Sequence, residues 1–183
     1  MLFALLLIAQ KLNSEGIMWA LGGSNVLKQF DLIETVNDID ILVSEKDIVK
    51  ANQILASIGS KMEVKANPNY LTTYFYSYRI KKFKVDLMCD FKIKYNDIVY
   101  TYTFDETSIT SSDEIAKEKI FFTSLEDWYV LYRLMDREDD EKIKNLEKHF
   151  ELHGIKHPQI LKRTLENVPR DLKLKIKYQL NLN

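Results

Sequence analysis

The sequence predicts an α/β (α+β) chain: a short mixed β-sheet with flanking helices, followed by a helical C-terminal part. Three observations lead there. Apolar residues alternate with a period of two in 37–43 and 83–91, and they recur at helical spacing in 48–58 and 128–135. Strand-like and helix-like stretches also succeed one another along the first 123 residues, whereas the remainder is mainly helical. With 183 residues and 46% hydrophobic content, the chain can bury one sizeable core. We expect a core over 1–123 and a helical part over 124–183 packed on it as one compact unit.

Each element follows from local chemistry. The apolar start Met1-Leu2-Phe3-Ala4-Leu5-Leu6-Leu7-Ile8-Ala9 has no basic leader and runs into Gln10-Lys11-Leu12-Asn13, so it reads as a helix buried against the sheet rather than a signal. It is too short to span a bilayer, and no membrane partner is expected. Ile17 to Leu21 is a short buried strand ended by Gly22-Gly23, and Ser24 opens a helix through Phe30. Ser44, with Asp47 three residues on, is the expected N-cap of a helix carrying Ile48, Ala51, Ile54, Leu55 and Ile58 until Gly59. Thr72–Ile80 and Phe83–Phe91 form a hairpin around Lys81-Lys82, Ile98–Phe104 is a further strand, and Asp105–Lys117 is polar and loop-like. Ser124-Leu125-Glu126-Asp127 resembles a capping box for a helix bearing Trp128, Leu131, Tyr132 and Met135. A second helix covers Asp139 to Phe150, and the last segment, after Gly154 and Pro158, is read as helix.

Charge and cysteine usage narrow the partners. Lys plus Arg total 26 against 27 Asp plus Glu, so no global basic field exists to hold nucleic acid non-specifically. The single cysteine, Cys89, excludes an intramolecular disulfide and falls on an apolar strand face. No disulfide-linked partner is expected, and the compartment inferred is the reducing cytoplasm.

The chemistry concentrates on three aspartates. In Asn37-Asp38-Ile39-Asp40-Ile41-Leu42-Val43 the strand period places Asp38 and Asp40 on one face and Ile39, Ile41 and Val43 on the other. In Phe83–Phe91 the odd positions are apolar, which sets Asp86 and Asp90 on the opposite face with Lys84 and Met88. Asp86 is the preferred third acid because Asp90 lies at the strand end, nearer solvent. Carboxylates gathered on a sheet are costly to desolvate without a cation, and magnesium favours carboxylate plus phosphate oxygens. Gly22-Gly23, between a strand and a helix start, is suited to a phosphate turn, with Ser24 adding a hydroxyl donor.

Leu21-Gly22-Gly23-Ser24, Asp38-Ile39-Asp40-Ile41 and Val85-Asp86-Leu87-Met88 together resemble the nucleotidyltransferase superfamily of DNA polymerase β type, in its small bacterial stand-alone form. The resemblance implies that Gly22, Gly23 and Ser24 hold the triphosphate of an NTP. It implies that Asp38, Asp40 and Asp86 bind two magnesium ions, Asp86 also taking the proton of the attacking hydroxyl. The segment from Trp128 to Leu146 is similar to the helical region of AbiEii-type abortive-infection nucleotidyltransferases, which implies nucleotide contacts from Arg133 and Arg137. This chain has Glu34 where those relatives usually carry arginine, and Lys142 where they carry a second acid. The implied reaction moves a nucleoside monophosphate onto a hydroxyl of a small molecule, a protein or tRNA. The alternative is a non-catalytic nucleotide-binding module, or a toxin-antitoxin component with a degenerate transferase fold.

Other features have plainer readings. His149, His153 and His157 stand at four-residue intervals, but Gly154 interrupts them, and histidines near a helix C-terminus complement its dipole. Arg79, Lys81, Lys82 and Lys84 read as solvation around a hairpin turn. Tyr70, Tyr74, Phe75, Tyr76 and Tyr78 read as a half-buried sheet surface with Phe75 in the core.

Overall fold

A computed structural model describes residues 1–135 and 140–182. Its centre is a seven-stranded mixed sheet in the order β3-β4-β5-β2-β1-β9-β8. The strands are β1 (Trp19–Leu21), β2 (Asp38–Val43), β3 (Ser60–Met62), β4 (Tyr74–Ile80), β5 (Phe83–Cys89), β8 (Ser111–Ile115) and β9 (Glu118–Phe122). β2 runs parallel to β5 and antiparallel to β1, and β1 runs parallel to β9. A separate hairpin of β6 (Lys92–Tyr95) and β7 (Ile98–Thr101) lies beyond β5. The helices are α1 (Leu2–Ser14), α2 (Ser24–Gln29), α3 (Ile48–Ile58), α4 (Leu125–Leu134), α5 (Glu141–His153), α6 (Pro158–Glu166) and α7 (Arg170–Gln179).

The two sheet faces have different fates. α1 and α3 cover one face, where Ile8, Leu12, Ala51 and Leu55 join Ile39, Ile41, Val43, Val85 and Leu87 in a cluster removed from water. The stripe of α1 that faces the sheet is the one that spacing predicts, but the helix is not apolar and buried all round: Phe3 is 85% exposed. On the other face, Leu42 and Met88 meet Val26, Leu27, Trp128 and the helices α4 to α7 in a second cluster. That cluster includes residues from both sides of position 123, so the core strands and the C-terminal helices share one apolar interior.

Several sequence expectations change on physical grounds. The stretch expected to be loop-like contains β8, whose residues are intermediate or exposed. An edge strand wetted on both faces needs no apolar alternation. Its turn to β9 places Ala116 and Lys117 at φ of 52° and 69°, without the glycine or asparagine that normally announces such a turn. Ser44 does not cap α3; its hydroxyl donates to Asp47 Oδ2 at 2.6 Å, and that oxygen also accepts the Met18 N–H at 3.0 Å. Phe91 leaves the odd-numbered face of β5 because Asp90 adopts φ of 53°, and its ring packs with Trp128 in the second cluster. The further strand ends at Thr101 and pairs with β6 rather than the main sheet.

Polar pins hold the C-terminal helices. Ser124 Oγ accepts the Asp127 N–H at 2.9 Å, as the capping pattern predicts. Glu126, almost fully buried, accepts the N–H groups of Lys156 and His157, each at 2.9 Å, and so ties α4 to the start of α6. Buried Asp127 accepts hydrogen bonds from Tyr102 Oη at 2.8 Å and Thr164 Oγ1 at 2.5 Å. Burial raises the Asp127 carboxyl above its usual range, although these donors oppose the shift.

Asp127→Ala strips acceptors from two buried hydroxyls at once. It should lower unfolding free energy by roughly 2–4 kcal/mol. Urea denaturation checks this, and a loss within error of zero would show that Asp127 does not pin α4 to α6.

Candidate active site

The register of β2 on β5 builds the site. Asp40 stands opposite Asp86, and Asp38 opposite Lys84. Because neighbouring strands keep one pleat, acids opposite each other on parallel strands share a face. The structure brings Asp38, Asp40 and Asp86 together, with one carboxylate oxygen from each lying within 4.8 Å of the other two. On the next strand, Ser77 pairs with Asp86 across the β4–β5 ladder, and its hydroxyl donates to Asp86 Oδ1 at 2.7 Å. The Lys84 ammonium donates to Asp86 Oδ2 and lies 3.7 Å from Asp38 Oδ2. Sequence reasoning missed Ser77, although its signal was there: it is the single small polar residue within the aromatic run of β4.

Gly22 is held to glycine by space, and Gly23 by space as well as by backbone. The Gly22 N–H donates to the Asp40 carbonyl at 2.9 Å, and a Cβ on Gly22 would lie 2.3 Å from the Trp128 ring. Gly23 has φ of 57° and ψ of −137°, a region that side chains avoid, and a Cβ there would lie 2.1 Å from Asp40 Oδ2. Ser24 opens α2, and Asn25 Nδ2 donates to the Asp38 carbonyl at 3.1 Å, tying this turn to β2. From α5, Lys142 Nζ donates to Ser24 Oγ at 2.8 Å and lies 5.5 Å from the centre of the Tyr132 ring. The residue that departs from the expected acid therefore sets a positive charge on the glycine-serine turn.

Above these groups is a cleft of about 490 Å3. It is lined by Trp128 and Tyr132 of α4, by Met135 just beyond that helix, and by Val64, Lys65, Ala66, Asn67 and Thr72. Tyr70 stacks on Phe91 at 6.3 Å and 17°, Phe91 lies 6.4 Å from Trp128, and Trp128 lies 5.6 Å from Tyr132. The indole is fixed by a hydrogen bond from Nε1 to Thr123 Oγ1 at 2.8 Å. Phe75 lines this cleft, while Tyr74, Tyr76 and Tyr78 point to the helix-covered face. Gly23, Ser24 and Lys142 thus line the same cleft as these flat apolar surfaces.

The electrostatics favour a hard cation. Burial, then the charges of Asp38 and Asp86, push the Asp40 carboxyl up to about 7. For Lys84, partial burial pulls downward, but the hydrogen bond to Asp86 and the three carboxylates raise its pKa overall. An all-carboxylate donor set with repelling members fits a magnesium or manganese ion, which prefers oxygen ligands.

Other residues singled out from sequence lie elsewhere. Arg133 Nη1 donates to Glu147 Oε1 at 3.2 Å on the seam between α4 and α5, where Tyr129 Oη binds the same oxygen at 2.8 Å. Arg137, with Asp139, falls outside the described residues. Asp90 is paired with Lys92 and Thr73 rather than with the triad. Glu34, Arg79, Lys81 and Lys82 are exposed, and of the basic hairpin group only Lys84 lines the cleft. The His149 and His153 rings stand 4.6 Å apart, tilted by 45°, and His149 also meets Phe30; among the described residues no third ligand joins them. Cys89 is buried and its thiol is pushed up to about 11, chiefly by burial. No described helix is long and apolar enough to cross a membrane.

Comparison with known proteins agrees with this geometry. Residues 2–181 match the model of a family described as nucleotidyl transferases of unknown function (DUF2204). No curated protein matches the sequence. Among solved structures, the candidate nucleotidyltransferase TM1012 from Thermotoga maritima is 24% identical, with a TM-score of 0.59 over 80% of this chain and 89% of that one. The antibiotic-resistance factor ANT(2'')-Ia is 14% identical, with a TM-score of 0.60 over 96% and 95% of the two chains. The lincosamide antibiotic adenylyltransferase LnuA, in a lincomycin-bound structure, is 22% identical, with a TM-score of 0.50 over 79% and 95%. These likenesses establish the nucleotidyltransferase fold, and the match over nearly the whole length establishes the family: this chain belongs to the DUF2204 nucleotidyl transferases.

The raised Asp40 pKa has a definite pH signature. A carboxyl lifted from 3.8 to about 7 on folding stabilises the protonated native state below pH 4, and that stabilisation is lost as pH rises through 7. Without divalent metal, the melting temperature of wild type should therefore fall more between pH 5 and 8 than that of Asp40→Asn. Parallel curves would show that Asp40 does not titrate there.

Proposed function

We propose that this family member transfers a nucleoside monophosphate from an NTP to a hydroxyl acceptor and releases pyrophosphate, with magnesium as its metal. The observation that carries this reading is the juxtaposition of Asp38, Asp40 and Asp86 with a glycine turn that bears Ser24 and Lys142. Carboxylates alone would bind a cation; carboxylates beside an ammonium and a close-approach backbone suit a metal-bound polyphosphate.

Each residue has a separable task. Gly23 lets phosphate oxygens approach the backbone, and Ser24 and Lys142 donate to them, so that negative charge developing on the departing pyrophosphate is met by an ammonium. Asp38 and Asp40 would hold the metal in common, and Asp86, the most buried of the three, would complete its coordination. When bound, a pair of magnesium ions supplies charge neutralisation at both the attacking and the leaving oxygen. Asp86 receives the acceptor's proton as the acceptor oxygen bonds to the α-phosphorus and the bond to the α,β-bridging oxygen breaks. Ser77 keeps the Asp86 carboxylate turned toward the cleft. Trp128, Tyr132, Phe91 and Tyr70 offer flat surfaces to the base or to a ring-bearing acceptor.

The relatives of this fold named above include antibiotic adenylyltransferases, and a small hydroxyl compound is the first acceptor class to screen. Proteins and tRNA are the next. We place the reaction in the cytoplasm, where NTPs are abundant and the lone thiol of Cys89 stays reduced.

The experiment is incubation with labelled ATP, CTP, GTP and UTP, magnesium and a lysate, followed by identification of what is labelled. Asp86→Ala should retain NTP binding and lose transfer by about three orders of magnitude or more, because proton acceptor and metal ligand go together. Lys142→Met should weaken NTP binding by about tenfold, the loss of roughly one charge-assisted hydrogen bond. Tight NTP binding with no product from any of the four nucleotides would identify a non-catalytic nucleotide-binding module, such as a toxin-antitoxin component. Equal transfer by wild type and Asp86→Ala would remove Asp86 from the mechanism.

A further inference from the structure

We propose that Lys84 is a built-in competitor of the divalent cation: its ammonium and a metal ion take the same oxygen of Asp86 in turn, so that metal entry requires Lys84 to swing away. The inference rests on the reading of Asp38, Asp40 and Asp86 as a metal site, and it adds a control on that site's affinity.

Both Asp86 oxygens have partners. Oδ1 accepts the Ser77 hydroxyl, and Oδ2 accepts the Lys84 ammonium. Ser77 is buried and carried by the adjoining strand, with a side chain too short to move out of the way. Lys84 differs in each respect. Its side chain is 43% exposed, lies along the cleft and has four rotatable bonds. Of the two partners, the lysine is therefore the one that can yield its oxygen.

Its position is set by register. Lys84 lies two residues before Asp86 and directly opposite Asp38, so the pleat aims it at the acids, and its ammonium also stands 3.7 Å from Asp38 Oδ2. β5 lies between β4 and β2 in the sheet, so Lys84 is not one of the lysines that protect an exposed edge. An ammonium bridging two of three crowded carboxylates relieves their repulsion, and the same ammonium repels a divalent ion approaching them. Competition is reciprocal: whatever Lys84 contributes to holding the acids together is subtracted from the free energy of metal binding. An NTP that brings its own phosphate charge gives the displaced ammonium an anionic partner. The site is thereby biased toward metal that arrives with nucleotide over metal alone.

The test uses the full chain and manganese alone, titrated by calorimetry or by the loss of the free-ion electron paramagnetic resonance signal. Lys84→Met, which keeps the apolar stem, should bind manganese on the order of ten- to a hundredfold more tightly than wild type. Lys84→Arg, which keeps the charge, should stay near the wild-type value. With chelator present Lys84→Met should melt below wild type, and saturating manganese should close that gap. Lys84→Gln replaces the methionine variant should the latter not fold. Manganese binding by Lys84→Met that equals or falls below that of wild type, while Asp40→Asn abolishes binding in both, overturns the competition and leaves the metal site standing. If neither wild type nor Lys84→Met binds manganese, the metal site and the competition both fall. Binding by Lys84→Met with none by wild type would be the strongest support.

Discussion

Asp40 and Asp86 come from strands separated in sequence by a helix, a short edge strand and half of a hairpin, yet they stand opposite one another because β2 pairs with β5 in parallel and in one register. That pairing is the constraint on which the site depends. A slip of one residue in β2 would turn Ile39 and Ile41 toward the cleft and drive Asp38 and Asp40 into the cluster under α1 and α3. Burial on that covered face enforces the register. The chemistry on one side of the sheet is therefore specified by hydrophobic packing on the other.

Concentrating negative charge on a sheet face is unfavourable, and the surrounding structure compensates in several ways. Ser77 and Lys84 engage the two oxygens of Asp86, and Lys142 brings a positive charge over the glycine turn. Among the described residues Asp40 has no comparable hydrogen-bond partner, and its carboxyl is the one whose pKa rises to about 7. Sites that bind metal commonly carry this tension, because an ion that cancels the repulsion gains affinity from it. An acid cluster fully neutralised by fixed lysines would be stable and inert. One neutralised by a flexible lysine can remain exchangeable.

Helix α4 links the floor to the walls. Trp128 fills the space that any side chain on Gly22 would need, packs on Phe91 and hangs from Thr123, which in turn binds the Leu21 carbonyl at 3.0 Å. Glu126 and Asp127, the neighbouring residues of that helix, are buried in hydrogen bonds to α6 and to Tyr102. One helix thus shapes the glycine turn, supplies an aromatic wall and anchors the C-terminal helices. The C-terminal part belongs to the site in a physical sense: α5 brings Lys142 to Ser24, a contact between residues 118 positions apart.

Period-two alternation was enough to place Asp38, Asp40 and Asp86 on the polar faces of their strands, and the glycine pair announced a turn that only glycine can make. Helical spacing likewise marked α3, α4 and α5, since an amphipathic stripe is a local property of the chain. The edge strand β8 was not legible, because a strand solvated on both faces carries no apolar pattern, and its turn uses Ala116 and Lys117 at positive φ. Arg133 was expected at the nucleotide, and its Nη1 donates to Glu147 of another helix. Lys84 looked like solvation, and Lys142 like a departure from the expected pattern. Their placement on Asp86 and Ser24 was decided by strand register and helix docking, contacts that no local periodicity encodes. The sequence by itself determined which faces are polar and which are buried. Which charges meet across those faces was decided by the tertiary structure, because long side chains take their partners from whatever elements packing brings within reach.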